Sequence, residues 1–202
     1  LICFKSNEKY FNGKNSLTLF DVKSKIIINE IKEYEFNISS YLMFLISKDE
    51  KNKFLISACM NDNNSEKGML IVNYNINSDD EVEAKKYFFE TGTLNVNCIC
   101  ILNQSKDNED EGKINNNIFL LAGGVDDGCN QGIVKLYKLR IDNNVPNIEE
   151  LQKIELGKEA NGPIYFIYQL RDGKIIVSCG SGNIIFTRPN LDGFNDDDDF
   201  NF

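Results

Sequence analysis

The sequence predicts an all-β protein built from many short strands. Short apolar runs rich in Ile, Val, Leu, Phe and Tyr recur along the whole chain, and runs of this length and composition are typical of strands. Clusters of Asn, Asp, Gly, Ser and Lys separate the runs, and these residues favour turns. The three- and four-residue spacing of an amphipathic helix is nearly absent. Together these observations predict strands joined by turns.

Three segments align without gaps, and each consists of three large apolar residues followed by three small ones. They span 54–59, 119–124 and 175–180. Since self-similarity along a chain is the mark of a repeat architecture, we interpret the three segments as copies of one strand. Small residues allow neighbouring sheets to approach closely, so we predict that the apolar trios lie in interior strands.

Further strands extend each copy to a four-strand unit. A second strand follows each segment after a polar turn, at 68–76, 132–139 and 183–187, and a fourth copy of this strand lies at 16–22, preceded by 1–4. Two more sets of strands lie at 25–31, 84–90 and 150–156, and at 38–46, 94–102 and 163–170. The units are longer than the ~40–45 residues of common four-strand repeats. We attribute the excess to polar insertions at 61–67, 104–117 and 141–147.

The run 119–139 resembles the second and third strands of a WD40 repeat, whose usual form is an apolar strand, small residues, an Asp-Gly turn and a strand ending in Trp-Asp. Here Asp127 and Gly128 form the turn dipeptide, and Tyr137 and Lys138 match the Trp and Asp positions. The segment 169–177 also resembles a turn of this family. The aromatic position is filled in the other copies by Phe20, followed by Asp21, and by Tyr74 and Phe186.

The chain departs from the family in its composition. It contains no His and no Trp, so the family's Gly-His dipeptide and Trp-mediated hydrogen bonds cannot form, and only the strand pattern and turns remain. A kelch-like repeat would need a Gly-Gly doublet in every blade, and only Gly123-Gly124 occurs.

The resemblance implies one domain over 1–202, a partial WD40-like β-propeller of four-stranded antiparallel sheets. Its units lie at approximately 1–22, 25–76, 84–140 and 150–187, and 190–202 form an acidic linker or tail. Propellers close with about four to eight blades, and an open arc leaves unpaired strand edges. We therefore expect the missing blades in flanking sequence. The alternative fold is a β-sandwich.

Composition excludes several kinds of site. Without His, neither a Ser-His-Asp nor a Cys-His arrangement can form, and no glycine-rich phosphate loop occurs. Asp126, Asp127 and Asn130 supply fewer oxygens than the roughly six that calcium requires, so we predict a hairpin turn there. The sequence predicts no catalytic, cofactor-binding or metal-binding residue. A net charge of −9 argues against nucleic-acid and anionic membrane partners.

The six cysteines are predicted to be free thiols. They form no Cys-x-x-Cys pair, and most lie in apolar, strand-like runs, where a thiol behaves as a small hydrophobic group. Cys98 and Cys100 should share one face of a strand, too far apart for a relaxed disulfide. Reduced cysteines indicate a reducing compartment, and we expect a cytoplasmic protein.

Two functions are consistent with this pattern. The first is a non-catalytic scaffold that binds other proteins through the loop faces of the propeller, because loops on rigid scaffolds carry recognition. The second is a lobe of a propeller enzyme, for example a hydrolase, whose catalytic residues lie partly outside this chain. Glu30, Asp62 or Asp172 would then serve as acid and base.

Overall fold

The computed structural model describes residues 2–5, 16–21, 26–32, 36–38, 44–47, 52–61, 67–76, 82–102, 117–126, 128, 131–156 and 162–186. Every regular element in these ranges is a β-strand, and they contain no helix. The prediction of an all-β protein is confirmed. The chain divides into two compact units, Leu1–Gly92 and Thr93–Phe202.

In the part of the chain that the structure describes, the first unit contains two antiparallel sheets. In the first, the order β1-β2-β3 is built from Ile2–Lys5, Ser16–Asp21 and Ile26–Lys32. The second sheet consists of β4 (Phe36–Ile38), β5 (Phe44–Ser47), β6 (Asn52–Asn61), β7 (Lys67–Ile76) and β8 (Val82–Glu90). β4 and β5 pair with successive parts of β6, so they form one interrupted edge strand beside β6, β7 and β8.

The second unit also contains two antiparallel sheets. One has the order β12-β11-β10-β9, from β9 (Leu94–Ile101), β10 (Asn117–Asp126), β11 (Gly132–Asp142) and β12 (Val145–Glu155). The other has the order β13-β14-β15, from Ile164–Gln169, Ile175–Cys179 and Gly182–Phe186.

The three apolar trios lie in β6, β10 and β14, and each of these strands is paired on both sides. The prediction of interior strands is therefore confirmed. Phe54, Leu120 and Ile175 are at most 1% exposed. Burial explains why these runs are apolar on consecutive residues, since a strand covered on both faces has no solvent side to alternate with.

One predicted insertion is wrong. Residues 141–147 were assigned to a surface loop, but β11 continues to Asp142 and β12 begins at Val145. Only Asn143 and Asn144 lie between them, with φ of 50° and 64°. Positive φ at both central residues is the geometry of a type I′ hairpin turn, which Asn tolerates well. The other two insertions, at 61–67 and 104–117, lie outside the described residues except for their terminal positions 61, 67 and 117.

The aromatic residues aligned with the WD40 Trp position do not share one pairing position. Tyr137 pairs with Leu120, the second residue of its trio, whereas Phe186 pairs with Ile175, the first. Tyr74 pairs with the residue before its trio. The alignment by aromatic residue therefore differs from the alignment by strand pairing, because the register of each hairpin is set by its own turn.

The two sheets of the second unit pack through glycines. A Cβ at Gly123 would lie 2.7 Å from both Ile164 Cγ2 and Ile167 Cδ1, and a Cβ at Gly132 would lie 2.6 Å from Ile164 Cδ1. These distances are far below van der Waals contact, so only glycine permits this approach. The isoleucines of β13 thus rest on the backbone of β10 and β11.

Equivalent residues of β10 and β14 lie on facing surfaces. Gly123 and Cys179 are both the fifth residue of their aligned segments. Ile164, which contacts the Gly123 position, pairs with Cys179, and paired residues point to the same face. If each sheet were a rotated copy of the one before, such residues would point in the same rotational sense. The gapless alignment of 119–124 with 175–180 therefore fits sheets related by rotation only if the β14 segment is shifted by one residue relative to β10.

Candidate interaction surface

Three large aromatic side chains on β13 face solvent. Tyr165, Phe166 and Tyr168 are 60%, 45% and 53% exposed, and we call them the β13 aromatic surface. Ile164 and Ile167 of the same strand are buried. Ile164 pairs with Cys179 and Phe166 pairs with Ser178, which leaves Tyr165 as the extra residue of a β-bulge. The bulge places two successive aromatic residues outward.

Phe166 and Tyr168 form an ordered pair of rings. Their centroids lie 6.0 Å apart and their planes differ by 9°, as expected for two residues that follow one another on the same strand face. Such contacts contribute about 0.5–1.5 kcal/mol beyond burial. The contact restrains both side chains before any partner arrives, which reduces the entropy lost on binding.

The turn that follows β13 is held by Asp172. Its Oδ1 accepts a hydrogen bond from Lys174 N at 3.2 Å, and Oδ2 lies 3.0 Å from Lys174 Nζ. The Leu170 amide also donates to the Lys174 carbonyl at 2.7 Å. The Lys174 side chain, followed by its backbone amide, lowers the pKa of Asp172. A lowered pKa does not suit a general acid, and the contacts with Lys174 are those of a turn residue.

The side chains of the other two carboxylates considered for acid–base chemistry lie outside the described part of the structure. Glu30 lies in β3 of the first unit, where it pairs with Thr18. Asp62 lies outside the described residues.

Asp126 closes the hairpin between β10 and β11. Its Oδ1 accepts a hydrogen bond from Gly128 N at 2.9 Å, and Oδ2 accepts one from Thr93 Oγ1 at 3.1 Å. Lys153 Nζ lies 3.7 Å from Oδ2. The Gly128 amide is the largest cause of a lowered Asp126 pKa. The predicted turn role is confirmed for Asp126.

The metal alternative rested on Asp126 together with Asp127 and Asn130, and these last two lie outside the described residues. Within the described ranges, no group of three or more His, Cys, Asp or Glu side chains is placed to hold a metal ion.

Two side chains of β11 with polar groups, Lys135 and Tyr137, are buried in the four-stranded sheet of the second unit. Lys135 Nζ forms an ion pair with Glu150 Oε2 at 2.8 Å. Tyr137 is 2% exposed, and its hydroxyl has no hydrogen-bond partner among the described residues. Burial, with a smaller contribution from Glu150, raises the Tyr137 pKa. Tyr137 is thus a neutral core residue and not a candidate nucleophile.

Cys98, Cys100 and Cys179 are buried free thiols. Burial raises the pKa of Cys98 to about 12 and also raises the pKa of Cys100. Because the thiolate is the reactive form, Cys98 and Cys100 are inert core residues. The prediction of free thiols is confirmed for these three cysteines. The side chains of the other three lie outside the described residues.

The sequence predicted a strand at 163–170 but not its exposed aromatic surface. Strict alternation would have placed Ile164, Phe166 and Tyr168 on one face. The bulge at Tyr165 separates the first of these from the other two. A bulge depends on backbone pairing with β14, and the residue pattern of β13 alone carries no signal for it. The three aromatics within one short strand were the available hint.

No helix among the described residues is long and apolar enough to cross a membrane. Comparison of this chain with protein-family models, with curated proteins and with solved structures found no match. The chemistry of the β13 aromatic surface therefore carries the argument about function.

Proposed function

We propose that this chain is a non-catalytic protein-interaction scaffold, and that the β13 aromatic surface is part of its binding face. The carrying observation is the exposure of Tyr165, Phe166 and Tyr168 on one short, bulged strand. Tyr and Phe are enriched at protein interfaces, and Tyr is also enriched at the hot spots within them. The loop 170–174 lies directly after this strand, so strand and loop together would contact a partner.

The class of partner follows from the net charge of the chain and from its exposed apolar surface. The chain carries a net charge of −9, which opposes binding to phosphate backbones. Soluble proteins rarely expose contiguous apolar patches without an interaction that covers them. A protein surface with its own apolar centre and basic rim fits both properties.

We further propose that the sheets belong to a partial WD40-like propeller, with its missing blades supplied by the rest of the protein. At the β13 aromatic surface this architecture is an alternative to a separate partner, because the next blade would pack on the face that carries Phe166 and Tyr168. Two observations support this architecture. The aligned trios occupy the same strand position in three sheets. A register shift also occurs between Leu19 and Phe20 and between Leu136 and Tyr137, and the resemblance aligns Phe20 with Tyr137. The proposal requires the one-residue change of alignment at β14 described above.

A double variant tests the proposed function. Phe166→Ser with Tyr168→Ser removes two exposed rings, and Val145→Ser is the matched control because Val145 is also exposed, at 50%, but lies on β12. Tagged proteins are purified from the cells that express them, and co-purifying proteins are quantified. The wild type and the control should retain a common partner that the double variant loses.

Binding is then measured by calorimetry with the purified partner. We expect at least about a tenfold weaker affinity for the double variant, the loss typical of one hot-spot residue. Equal affinities for all three proteins would contradict the proposal. So would a wild-type protein that purifies alone and turns over a small molecule.

A further inference from the structure

The turn after β13 places positive charge next to the β13 aromatic surface. Arg171 and Lys174 are both exposed, and the Lys174 side chain keeps 55% of its area exposed although it is ion-paired with Asp172. Arg171 follows Tyr168 by three residues. The chain as a whole is acidic, but this end of the aromatic surface is therefore suited to carboxylate groups.

The apolar part of the same surface continues onto β14. Ile176 pairs with Tyr168, so the two side chains share one face of the sheet, and Ile176 is half-buried. The Phe166 ring lies on this face beside that of Tyr168. An apolar face bordered by basic side chains favours a ligand that combines aromatic with acidic residues.

One segment of this chain has that combination. Residues 190–202, which lie outside the described residues, contain phenylalanines and aspartates at Phe194, Phe200, Phe202, Asp192 and 196–199. In extended backbone, side chains two residues apart share a face and lie about 6–7 Å apart. Phe200 and Phe202 therefore have the spacing of the two stacked rings on β13, whose centroids are 6.0 Å apart.

The register of the last sheet shows that the chain leaves β15 close to the aromatic surface. Gln169, the last residue of β13, pairs with Ile175, and Ile175 pairs with Phe186, the last residue of β15. Phe186 thus lies two strand spacings, about 10 Å, from Gln169. Thirteen residues separate Phe186 from Phe200. Since an extended chain spans about 3.3 Å per residue, this length is sufficient to reach the β13 rings.

We propose that residues 190–202 bind the β13 aromatic surface of the same chain, with their phenylalanines against its rings and their aspartates beside Arg171. The short connection from β15 gives the segment a high effective concentration, so weak contacts suffice. The inference rests on the proposed function, since both place a ligand on the β13 aromatic surface. A protein partner has to displace the segment, and a basic partner is favoured because it also pairs with the released aspartates.

The absence of Trp from the chain allows one fluorophore to be placed in this segment. Phe200→Trp keeps an aromatic ring, and an indole emits at shorter wavelength when it is buried than in water. The emission maximum of the folded variant should be blue-shifted relative to that of the urea-unfolded variant. Adding Phe166→Ser with Tyr168→Ser should move the maximum towards the unfolded value, whereas adding Val145→Ser should not. Circular dichroism verifies that each variant is folded.

A charge reversal tests the contact with Arg171. At low salt, Arg171→Glu added to Phe200→Trp should shift the emission to longer wavelength, because the new carboxylate repels the aspartates. Lys85→Glu is the matched control, since Lys85 is also exposed but lies on β8 of the first unit. Added salt should reduce the effect of Arg171→Glu.

Four results would each overturn the proposal: an emission maximum equal to that of the unfolded variant, no response to the loss of the two rings, no response to Arg171→Glu at low salt, or a blue shift that appears only as the protein concentration rises. The last of these would mean binding to a second copy. Emission is measured without a partner, and the proposed function is measured by co-purification. Failure of the segment to bind and failure of the proposed function are therefore separate outcomes.

Discussion

At Gly123 the absence of a side chain determines how closely the two sheets of the second unit approach. The neighbouring Gly124 has a different restriction, because a Cβ there would meet the carbonyl oxygen of Asn95, a backbone atom. A side chain can change its rotamer to make room, but a paired backbone cannot move without breaking its ladder. The two glycines should therefore differ in their sensitivity to substitution.

We predict that Gly123→Ala lowers the free energy of unfolding by about 1–3 kcal/mol, the usual cost of overpacking. Gly124→Ala should cost more. Adding Ile167→Val to Gly123→Ala removes the Cδ1 atom that the new methyl group meets, so part of the loss should be recovered. Urea denaturation of the wild type, Gly123→Ala, Ile167→Val, the double variant and Gly124→Ala measures this, and strictly additive losses from Gly123→Ala and Ile167→Val would contradict the assigned contact.

The lowered pKa of Asp126 predicts how the stability of the fold changes with pH. Its pKa is lowered in the folded protein, chiefly by the Gly128 amide, so its contribution is present above the ordinary Asp pKa of about 3.9. That contribution is lost as the pH falls through the folded value, because the protonated carboxyl loses its charged contacts. Asp126→Ala should lower stability at neutral pH, and the variant should lose less stability than the wild type on acidification.

Asp172→Ala gives a comparison with a smaller expected effect. The pKa of Asp172 is also lowered, but its side chain is 53% exposed, so solvent weakens its contacts with Lys174. Melting temperatures are measured from neutral to acidic pH. At neutral pH the melting temperature of Asp126→Ala should be lower than that of Asp172→Ala. If Asp126→Ala shows the same acid dependence as the wild type, the hydrogen bonds assigned to Asp126 do not stabilise the fold.

The buried cysteines should react more slowly with a disulfide reagent in the folded protein than in the unfolded protein. Cys98 and Cys100 have raised pKa values, so at pH 8 few of these thiols are ionised and a disulfide reagent should modify them slowly. After denaturation without reductant, all six cysteines should react. Fewer than six reactive groups would contradict the prediction that every cysteine is a free thiol.

Among the elements, the hairpin of β11 and β12 marks what could be predicted from the sequence and what could not. The strands themselves were predictable, because β-branched and aromatic runs favour extended backbone. The insertion assigned to 141–147 was wrong because two asparagines are equally typical of a loop and of a type I′ turn. Their φ values decide between these, and φ depends on the pairing of the flanking strands.

The same limit applies to the candidate surface. The absence of His excludes sites that need a histidine, and the acidity of the chain argues against nucleic-acid partners. The exposure of Phe166 was not predictable, because the bulge at Tyr165 reverses the face that simple alternation would assign. Registers and bulges arise between strands, so a single strand's sequence does not specify them.

We predict that the effect of a substitution at Asn144 on stability depends on whether the new residue tolerates the positive φ at this position. Asn144→Gly should maintain or raise stability, because glycine adopts this conformation without steric cost. Asn144→Val should lower the free energy of unfolding by about 1–2 kcal/mol, the cost of the left-handed region for ordinary residues. Asn147→Val, also exposed but within β12, is the control. Equal effects at the two positions would contradict the turn assignment.

At the scale of the whole molecule, the net charge of −9 has a measurable consequence for any partner. Association of oppositely charged proteins is accelerated by their long-range attraction, and salt screens that attraction over about 10 Å at 0.1 M. A partner identified by co-purification should therefore show an association rate constant that falls with added salt. The dissociation rate constant should change less, and stopped-flow fluorescence separates the two.

The two-residue turn at Asn143 and Asn144 also bears on the order of folding. Its strands meet after closure of the shortest possible loop, whereas β9 and β10 must bring together residues on either side of the long segment 103–116. Because the entropy cost of closure grows with loop length, the β11–β12 pairing should form first in its sheet. In pulsed hydrogen exchange during refolding, the β11 and β12 amides that bond to one another should be protected before those of β9. Local connectivity would then make this hairpin the nucleus on which the rest of the sheet assembles.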